Sequence, residues 1–479
     1  MLQALLNVFR ISELRNKILF TLGLLVVYRI GFWIPIPGVN QSALAEFFEK
    51  ASSEGSAAGR FAQFVTIFSG GAFHQSTIFG LGIMPYISAS IIFQLVASVH
   101  PGMKKLQQEG PTGRQKITEW TRYATVFLCI FQGIGYLTFM TKSGLVEPMW
   151  MNNPLWWAMA ITTLTSGTVF LMWLGEQIDR HGIGNGVSMI IMAGILTSMP
   201  GALLWVVNNS PLRDMAIFEA VLGDAPQNYE PQMGLMGVLL LLGGFVLVVS
   251  GSVLLTVAQR RITVQQAKHT KGRRAYGGQK SYLPLRVNHA GVMPIIFSSS
   301  LMIFPSMIFK ALDDSARQAQ AAGWWQGITT WLADSFAHGE FPYVVCELVL
   351  IYFFSYFWIT VQFNPEEMSK QLRDHGSFIP GLRPGPRTAE YLETVMTRIT
   401  YVGAAFLAVI ALTPMIVHKA MNIDFTVTQF LGGTGLLIVV SVCLDFVQRV
   451  EANLLMRNYA GFLGGNDDGS GPRMRGPRS

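Results

Sequence analysis

The chain has 479 residues, of which 51% are hydrophobic and only 13% are charged, and its formal net charge is +7. Soluble domains carry about 25% charged residues, so this composition excludes an ordinary soluble protein and indicates a membrane protein. Three cysteines, Cys129, Cys346 and Cys443, lie far apart inside apolar stretches. This predicts core residues rather than disulfides or metal ligands.

Ten apolar stretches are long enough to cross about 30 Å of hydrocarbon, which takes about 20 helical residues each. They predict an all-α polytopic membrane protein. Most of the 35 Lys and Arg residues fall on one side of these stretches if the N-terminus is cytoplasmic, so both termini are expected in the cytoplasm. The predicted spans are 18–36, 76–96, 122–141, 155–174, 186–207, 233–257, 290–309, 342–362, 398–417 and 426–446.

The region around the second span is unusual for a lipid-facing helix. The preceding stretch "FAQFVTIFSGGAF" (61–73) is too short to span and predicts a re-entrant half-helix, with an external amphipathic helix as the alternative. Within the span, Pro85 is expected to weaken the helix between Ile83 and Ile87.

Two aliphatic pairs lie at i, i+4 beside helix-loosening residues. Ile83 and Ile87 flank Pro85, and Val187 and Ile191 follow "GIGNG" (182–186). Each pair alone is typical of an ordinary core stripe. Together they also fit helices that move against each other around a hydrophobic constriction.

Two connections on the expected cytoplasmic side, 258–288 and 363–398, are long and basic. Alternation in "RRITVQQ" and "KSYLPLRV" predicts a two-stranded hairpin in the first, and Asn364 with Pro365 predicts a capped helix in the second. The charges either orient the chain or bind a large anionic or acidic partner, such as ribosomal RNA or a motor protein. The first loop's cations are Arg260, Arg261, Lys268, Lys271, Arg273, Arg274, Lys280 and Arg286.

The connection 310–341 lies on the other side. Its apolar residues recur at helical spacing and include Trp324, Trp325 and Trp331, which predicts a helix at the membrane interface. A simple packing role is an equal alternative. The Gly-, Pro- and Arg-rich tail, 461–479, is expected to be disordered.

Catalytic motifs are absent from the sequence. It contains no His-Glu-x-x-His zinc motif, no Gly-x-Ser-x-Gly elbow and no phosphate-binding Gly-x-x-x-x-Gly-Lys-Ser/Thr, so we expect no catalytic residues, metal or cofactor. The spans also hold few ionisable groups, which disfavours the main alternative, a secondary transporter of a small solute. A membrane enzyme is the weakest hypothesis.

Long motifs in this chain closely resemble the SecY family, the channel subunits of the bacterial Sec protein translocase. They include "FLMWLGEQIDRHGIGNGVSMIIMAGI", "RRAYGGQKSYLPLRVNHAGVMPIIFSSSLMIFP" and "GSFIPGLRPGPRTAEYL". The resemblance implies ten helices in two pseudosymmetric halves, 1–210 and 211–460. It implies a channel in the bacterial inner membrane that passes unfolded secretory chains and releases transmembrane segments into lipid. Implied partners are SecE, SecG, the SecA motor ATPase, the ribosome with its RNA, signal peptides and nascent polypeptides.

The same resemblance assigns roles to individual residues. Segment 61–73 would be the plug, and Val187 stands where isoleucine is commoner in the family. The implied pore ring is Ile83, Ile87, Val187, Ile191, Ile296 and Ile438. The implied plug and hinge residues are Phe64, Ile67, Phe68, Gly70 and Gly71. The implied lateral gate, between the second and seventh spans, includes Ser88 and Phe304. The implied SecA and ribosome docking residues are Arg260, Arg261, Lys268, Lys271, Arg273, Arg274 and Arg383.

Overall fold

The computed structural model is largely helical, as predicted. It describes residues 12–53, 76–151, 153–211, 234–266, 269–271, 274–276, 280–289, 291–319, 323–337, 340–421, 427 and 433–463. In chain order the helices are α1 (Ser12–Ile30), α2 (Gln41–Ser53), α3 (Met84–Val99), α4 (Pro101–Gln108), α5 (Pro111–Lys142), α6 (Pro148–Met151), α7 (Pro154–His181), α8 (Gly186–Asn208), α9 (Leu235–Val257), α10 (Met293–Gln318), α11 (Gly323–Ser335), α12 (Phe341–Gln362), α13 (Pro365–Asp374), α14 (Pro386–Met421) and α15 (Thr434–Leu463).

Seven helical segments in this part of the chain are long and apolar enough to cross a membrane. They contain α1, α5, α7, α8, α9, α12 and α14, and shorter apolar helices lie within α3 and α10. The count of ten spans stays a prediction. The predicted plug and hinge residues lie outside the described residues. So does the predicted disordered tail, except for 461–463 at the end of α15, and so does part of the tenth predicted span.

Several helices extend well beyond their predicted bounds. Helix α14 begins at Pro386 rather than at 398, and α10 continues to Gln318 rather than ending at 309. Of the predicted core cysteines, Cys129 is buried and Cys346 is half-buried, whereas Cys443 is exposed. The prediction that Cys443 is a core residue is therefore wrong: its thiol contacts Met192 Sδ of α8 at 3.7 Å, but the rest of the residue is exposed.

The two long basic loops fold together into one small sheet. Strands β1 (Gln259–Gln266) and β4 (Lys280–Arg286) form the predicted hairpin, with Gln259 opposite Arg286. Strand β5 (Ser377–Phe378), from the second loop, pairs with the other edge of β1. Strands β2 (His269–Lys271) and β3 (Arg274–Tyr276) form a separate pair.

The apolar face of this sheet packs on the start of α14. Ile262, Val264 and Leu285 form a cluster with Leu392 and Met396. Helix α13 begins as predicted, since the Asn364 side-chain oxygen accepts a hydrogen bond from the Glu367 N–H at 3.3 Å. Both loops therefore form one rigid unit at one end of the helices. We call this end the basic face and the other end the opposite face.

At the opposite face, α10 and α11 form an antiparallel helical hairpin. The Thr330 hydroxyl donates to Asp313 Oδ1 at 2.7 Å, and Gln326 donates to the Ala316 carbonyl at 3.3 Å. Nearer the membrane, Ser306 donates to the Phe336 carbonyl at 3.0 Å. The helix predicted in this connection is confirmed, and it packs against the extension of α10.

Asp313 is the polar centre of this hairpin. Burial alone would raise the pKa of its carboxyl, but hydrogen bonds from Thr330 and Arg317 outweigh burial and lower that pKa below its ordinary value. A lowered folded pKa means that the carboxylate contributes stability above the unfolded pKa. That contribution is lost as the pH falls through the folded pKa.

We expect Thr330→Val to loosen α11, because the buried Asp313 carboxylate then loses one donor at a cost of about 1–3 kcal/mol. Amide hydrogen exchange across α11 should become faster than in the unmodified protein. Thr360→Val, at an exposed threonine of α12, is the control and should leave α11 unchanged. Equal protection of α11 in all three proteins would contradict the role of this hydrogen bond.

Candidate functional site

The six predicted pore-ring residues lie at the starts of four helices, in the cap residue or the first two turns. Ile83 and Ile87 lie at the start of α3, Val187 and Ile191 at the start of α8, Ile296 at the start of α10 and Ile438 at the start of α15. Helical spacing alone predicts that Ile83 shares a helix face with Ile87, and Val187 with Ile191. It does not predict that the four helix starts lie close together.

The structure places all six side chains in one hydrophobic cluster. Ile83, Ile87, Ile191, Ile296 and Ile438 are at most 5% exposed, and Val187 is half-buried against them. Buried methionines belong to the same cluster: Met84, Met189 and Met192. The cluster is the large hydrophobic core of the helices, and it also holds aromatic residues such as Phe79 and Phe354.

The prediction that Pro85 weakens a helix between Ile83 and Ile87 is wrong. Residues 76–83 are turns, and Pro85 is the second residue of α3, where proline starts a helix instead of weakening its middle. Ile83 is the cap residue, and its carbonyl accepts the Ile87 N–H at 3.1 Å. The two isoleucines thus share a face although only one of them lies inside the helix.

The turns at 76–83 are held by three neighbouring parts of the protein. Ile36 N–H donates to the Ser76 carbonyl at 2.9 Å, and the Tyr136 hydroxyl of α5 donates to Ser76 Oγ at 3.0 Å. The Thr168 hydroxyl of α7 donates to the Gly82 carbonyl at 3.2 Å. Gly82 has a φ of +58°, which favours glycine. The two hydrogen bonds to carbonyls satisfy backbone groups that lipid could not.

The "GIGNG" stretch forms a capped turn between α7 and α8. Asp179 Oδ1 accepts the Gly186 N–H at 2.7 Å, and Asn185 Oδ1 accepts the Ser188 N–H at 3.1 Å. A Cβ on Gly186 would collide with the Gly175 carbonyl oxygen, so the two helices meet there through bare backbone. The motif therefore sets the position of the pair formed by Val187 and Ile191.

An ion pair just before this turn joins α5 to α7. Arg122 contacts Glu176 through two hydrogen bonds, of 2.9 Å from Nε and 2.6 Å from Nη2. A bidentate pair of this kind fixes orientation as well as distance. No local sequence pattern indicates the pairing, because the two residues are 54 positions apart.

The helices of the predicted lateral gate are in contact. Ser300 of α10 donates to Met84 Sδ of α3 at 3.8 Å, and Ser88 is buried on α3. Phe304 lies on α10, but its side chain lies outside what the structure describes. Sequence reasoning missed the buried run Ser298, Ser299 and Ser300, although three serines in an apolar span are visible there.

The predicted docking residues lie on the basic face. Arg260 and Arg261 are exposed on β1, and Arg383 is exposed in the turn between β5 and α14. The Arg383 carbonyl accepts the Thr388 hydroxyl at 2.9 Å, which fixes the turn. The side chains of Lys268, Lys271, Arg273 and Arg274 lie outside the described residues. Both loops thus contribute exposed cations to the basic face.

We expect Gly186→Ala to push α8 away from α7, because the added methyl group would meet the Gly175 backbone. The cost should be about 1–3 kcal/mol, as for other overpacked sites. Gly201→Ala is the matched control on the same helix, since nothing lies within 4 Å of the place that its added methyl group would take. Thermal unfolding in detergent measures both variants, and equal melting temperatures would contradict the close approach.

Comparisons with known proteins identify relatives over nearly the whole chain. A family model described as SecY matches residues 77–447. The protein translocase subunit SecY of Chlamydia trachomatis serovar D is 40% identical over 470 residues, which cover 95% of this chain and 97% of the relative. That of Escherichia coli K12 is 39% identical over 459 residues, covering 95% and 94%.

Solved structures share the fold at lower identity. One described as a protein conducting channel has a TM-score of 0.59 at 19% identity and covers 93% of this chain and 94% of its own. Sec61 in a canine ribosome-channel complex has a TM-score of 0.55 at 18% identity, with the same coverage.

Proposed function

This chain belongs to the SecY family, so it is a membrane-embedded protein-translocation channel, and we propose that polypeptides pass through the pore ring defined above. The observation that supports the proposal is that the six aliphatic side chains, from four helix starts, all belong to the buried hydrophobic core shared by these helices. The SecY family is a channel family rather than an enzyme family, and membership favours translocation over secondary transport of a small solute.

The chemistry of the ring suits a seal that can open. An aliphatic side chain has no polar group to replace the hydration shell of an ion, so a closed ring opposes ion flow by excluding water. Methionine is flexible and fills irregular gaps, so Met84, Met189 and Met192 let the surrounding cluster repack around a passing polypeptide.

The arrangement also supports the division into halves at about residue 210. Helices α3 and α8 come from the first half, and α10 and α15 come from the second. Each half therefore contributes two helix starts to the ring. We propose that the halves separate around it, and that segment 61–73 supplies the plug.

A lateral exit between α3 and α10 fits the contacts at their seam. Ser300 and Met84 make a weak, long hydrogen bond there, and Ser88 is buried close by along α3. A thioether is a weak hydrogen-bond acceptor, so little is lost when this contact breaks. We propose that transmembrane segments leave through this seam and that Phe304 lines it.

The basic face is proposed to be cytoplasmic and to dock the partners that deliver substrates. Arg260, Arg261 and Arg383 are exposed on one rigid sheet unit, which suits an anionic or acidic surface such as ribosomal RNA or SecA. Lys268, Lys271, Arg273 and Arg274 would extend it. SecE, SecG, signal peptides and nascent chains are the further proposed partners. The proposed location is a bacterial inner membrane, with both termini in the cytoplasm.

Removal of the seal should make the channel leak. We expect the double variant Ile83→Gly with Ile87→Gly to conduct ions several-fold above the unmodified channel in planar bilayers, because the water-excluding side chains are gone. The matched control is Ile92→Gly with Val96→Gly, which removes two exposed aliphatic groups from the same helix at the same spacing. Equal conductance of the two double variants would remove the ring hypothesis.

Reversal of one charge on the basic face should weaken docking. We expect Arg383→Glu to reduce SecA and ribosome binding to proteoliposomes, and the deficit to shrink at high salt as screening increases. Lys142→Glu makes the same charge change at an exposed site on α5 away from the sheet. Normal binding by Arg383→Glu, or an equal loss with Lys142→Glu, would count against a docking role for Arg383.

A further inference from the structure

Helix α11 has one packed face and one exposed apolar face. Thr329, Gln326 and Thr330 lie on the packed side toward α10. Trp324 and Trp331 are 70% and 65% exposed, with Ile328 between them at 44%. Their spacing of four and three residues puts them on one stripe of the helix.

The extension of α10 beside α11 also carries an exposed apolar stripe. Leu301, Ile308 and Leu312 are exposed at helical spacing, so the stripe that begins in the predicted span continues past its predicted end at 309. Asp313 and Thr330 do not face this stripe, because they bond to each other between the two helices. The exposed apolar stripe of α10 thus runs from the predicted span into the hairpin.

The chemistry of an exposed stripe of two tryptophans and an isoleucine favours the membrane–water interface. Tryptophan is enriched at membrane–water interfaces, because its ring is apolar and its N–H still reaches water or headgroups. A helix with such a face and an opposite polar face binds in the interface by burying the apolar side. Phe341, the first residue of α12, is also 78% exposed.

We propose that Trp324, Ile328 and Trp331 insert into the lipid headgroup and acyl boundary at the opposite face, so that α11 anchors the far end of α10 to the membrane. The occupant of the stripe is lipid, not a second protein. The proposal requires that the chain spans a bilayer, but not that the pore ring is the translocation path. Its failure is therefore distinguishable from failure of the proposed function.

Fluorescent probes on single cysteines test the position of the stripe. Cys129, Cys346 and Cys443 are first replaced by Ala, and a cysteine is placed at Ile328 or at Asp314. The contacts between α10 and α11 put these two positions at about the same height of the hairpin. Asp314 is exposed on α10, beside the inward-facing Asp313. The two probes therefore lie on different sides of the hairpin but at about the same height along it.

In vesicles that contain only this chain and lipid, the probe at Ile328 should be quenched by spin-labelled lipid and shielded from aqueous iodide. The probe at Asp314 should show the reverse. Equal access of iodide to both probes would overturn the proposal. Shielding of the Ile328 probe from both quenchers would also overturn it, because protein would then cover the stripe.

Removal of the two indoles provides a second readout. In the Ile328 probe protein, Trp324→Gln with Trp331→Gln should raise iodide quenching several-fold and lower quenching by the lipid label. The Asp314 probe should not respond to the same changes. An unchanged Ile328 probe would show that the tryptophans do not hold α11 in the membrane.

Discussion

The dry interior of a membrane requires every backbone N–H and C=O to find a partner within the protein, and the pore-ring region depends on this constraint. The turns at 76–83 lie inside the predicted second span, yet they are not helical. Hydrogen bonds from Thr168 to the Gly82 carbonyl and from Ile36 to the Ser76 carbonyl replace some of those that a helix would have made, and Tyr136 holds the Ser76 side chain. This support lets α3 start deep in the protein with Ile83 as its cap.

The backbone groups at the start of α8 are also satisfied within the protein. Asp179 and Asn185 accept the first N–H groups of that helix, while Gly175 and Gly186 let its backbone touch α7. Capping and close approach fix where Val187 and Ile191 lie. The proposed ring therefore depends on where helices begin, since its six residues lie at the starts of α3, α8, α10 and α15.

Hydropathy was sufficient to predict most helices, because an apolar stretch of about 20 residues has few alternatives in a membrane. It wrongly put Pro85 in the middle of a helix, because the apolar pattern continues across the turns at 76–83. Proline alone does not settle the matter, since it occurs at helix starts and also breaks helices. The hairpin of β1 and β4 followed from alternation. Its third strand, Ser377–Phe378, is too short for any pattern and forms only by pairing with β1.

The members of the ring could be named from family resemblance, but their convergence could not be derived from the residues alone. Ile296 and Ile438 sit in apolar runs that look like any core stripe. The pairs between Arg122 and Glu176 and between Thr330 and Asp313 join different helices, and no local pattern links their members. Such side-chain contacts depend on the tertiary fold.

The central claim is that polypeptides cross the membrane through this ring. Crosslinking a stalled secretory chain to single cysteines tests it most directly, with probes at Ile87 and Ile191 and a control at Leu247, which is 72% exposed on α9. We predict adducts at Ile87 and Ile191 and none at Leu247. Absence of adducts at both ring positions, with translocation intact, would place the path elsewhere and contradict the account.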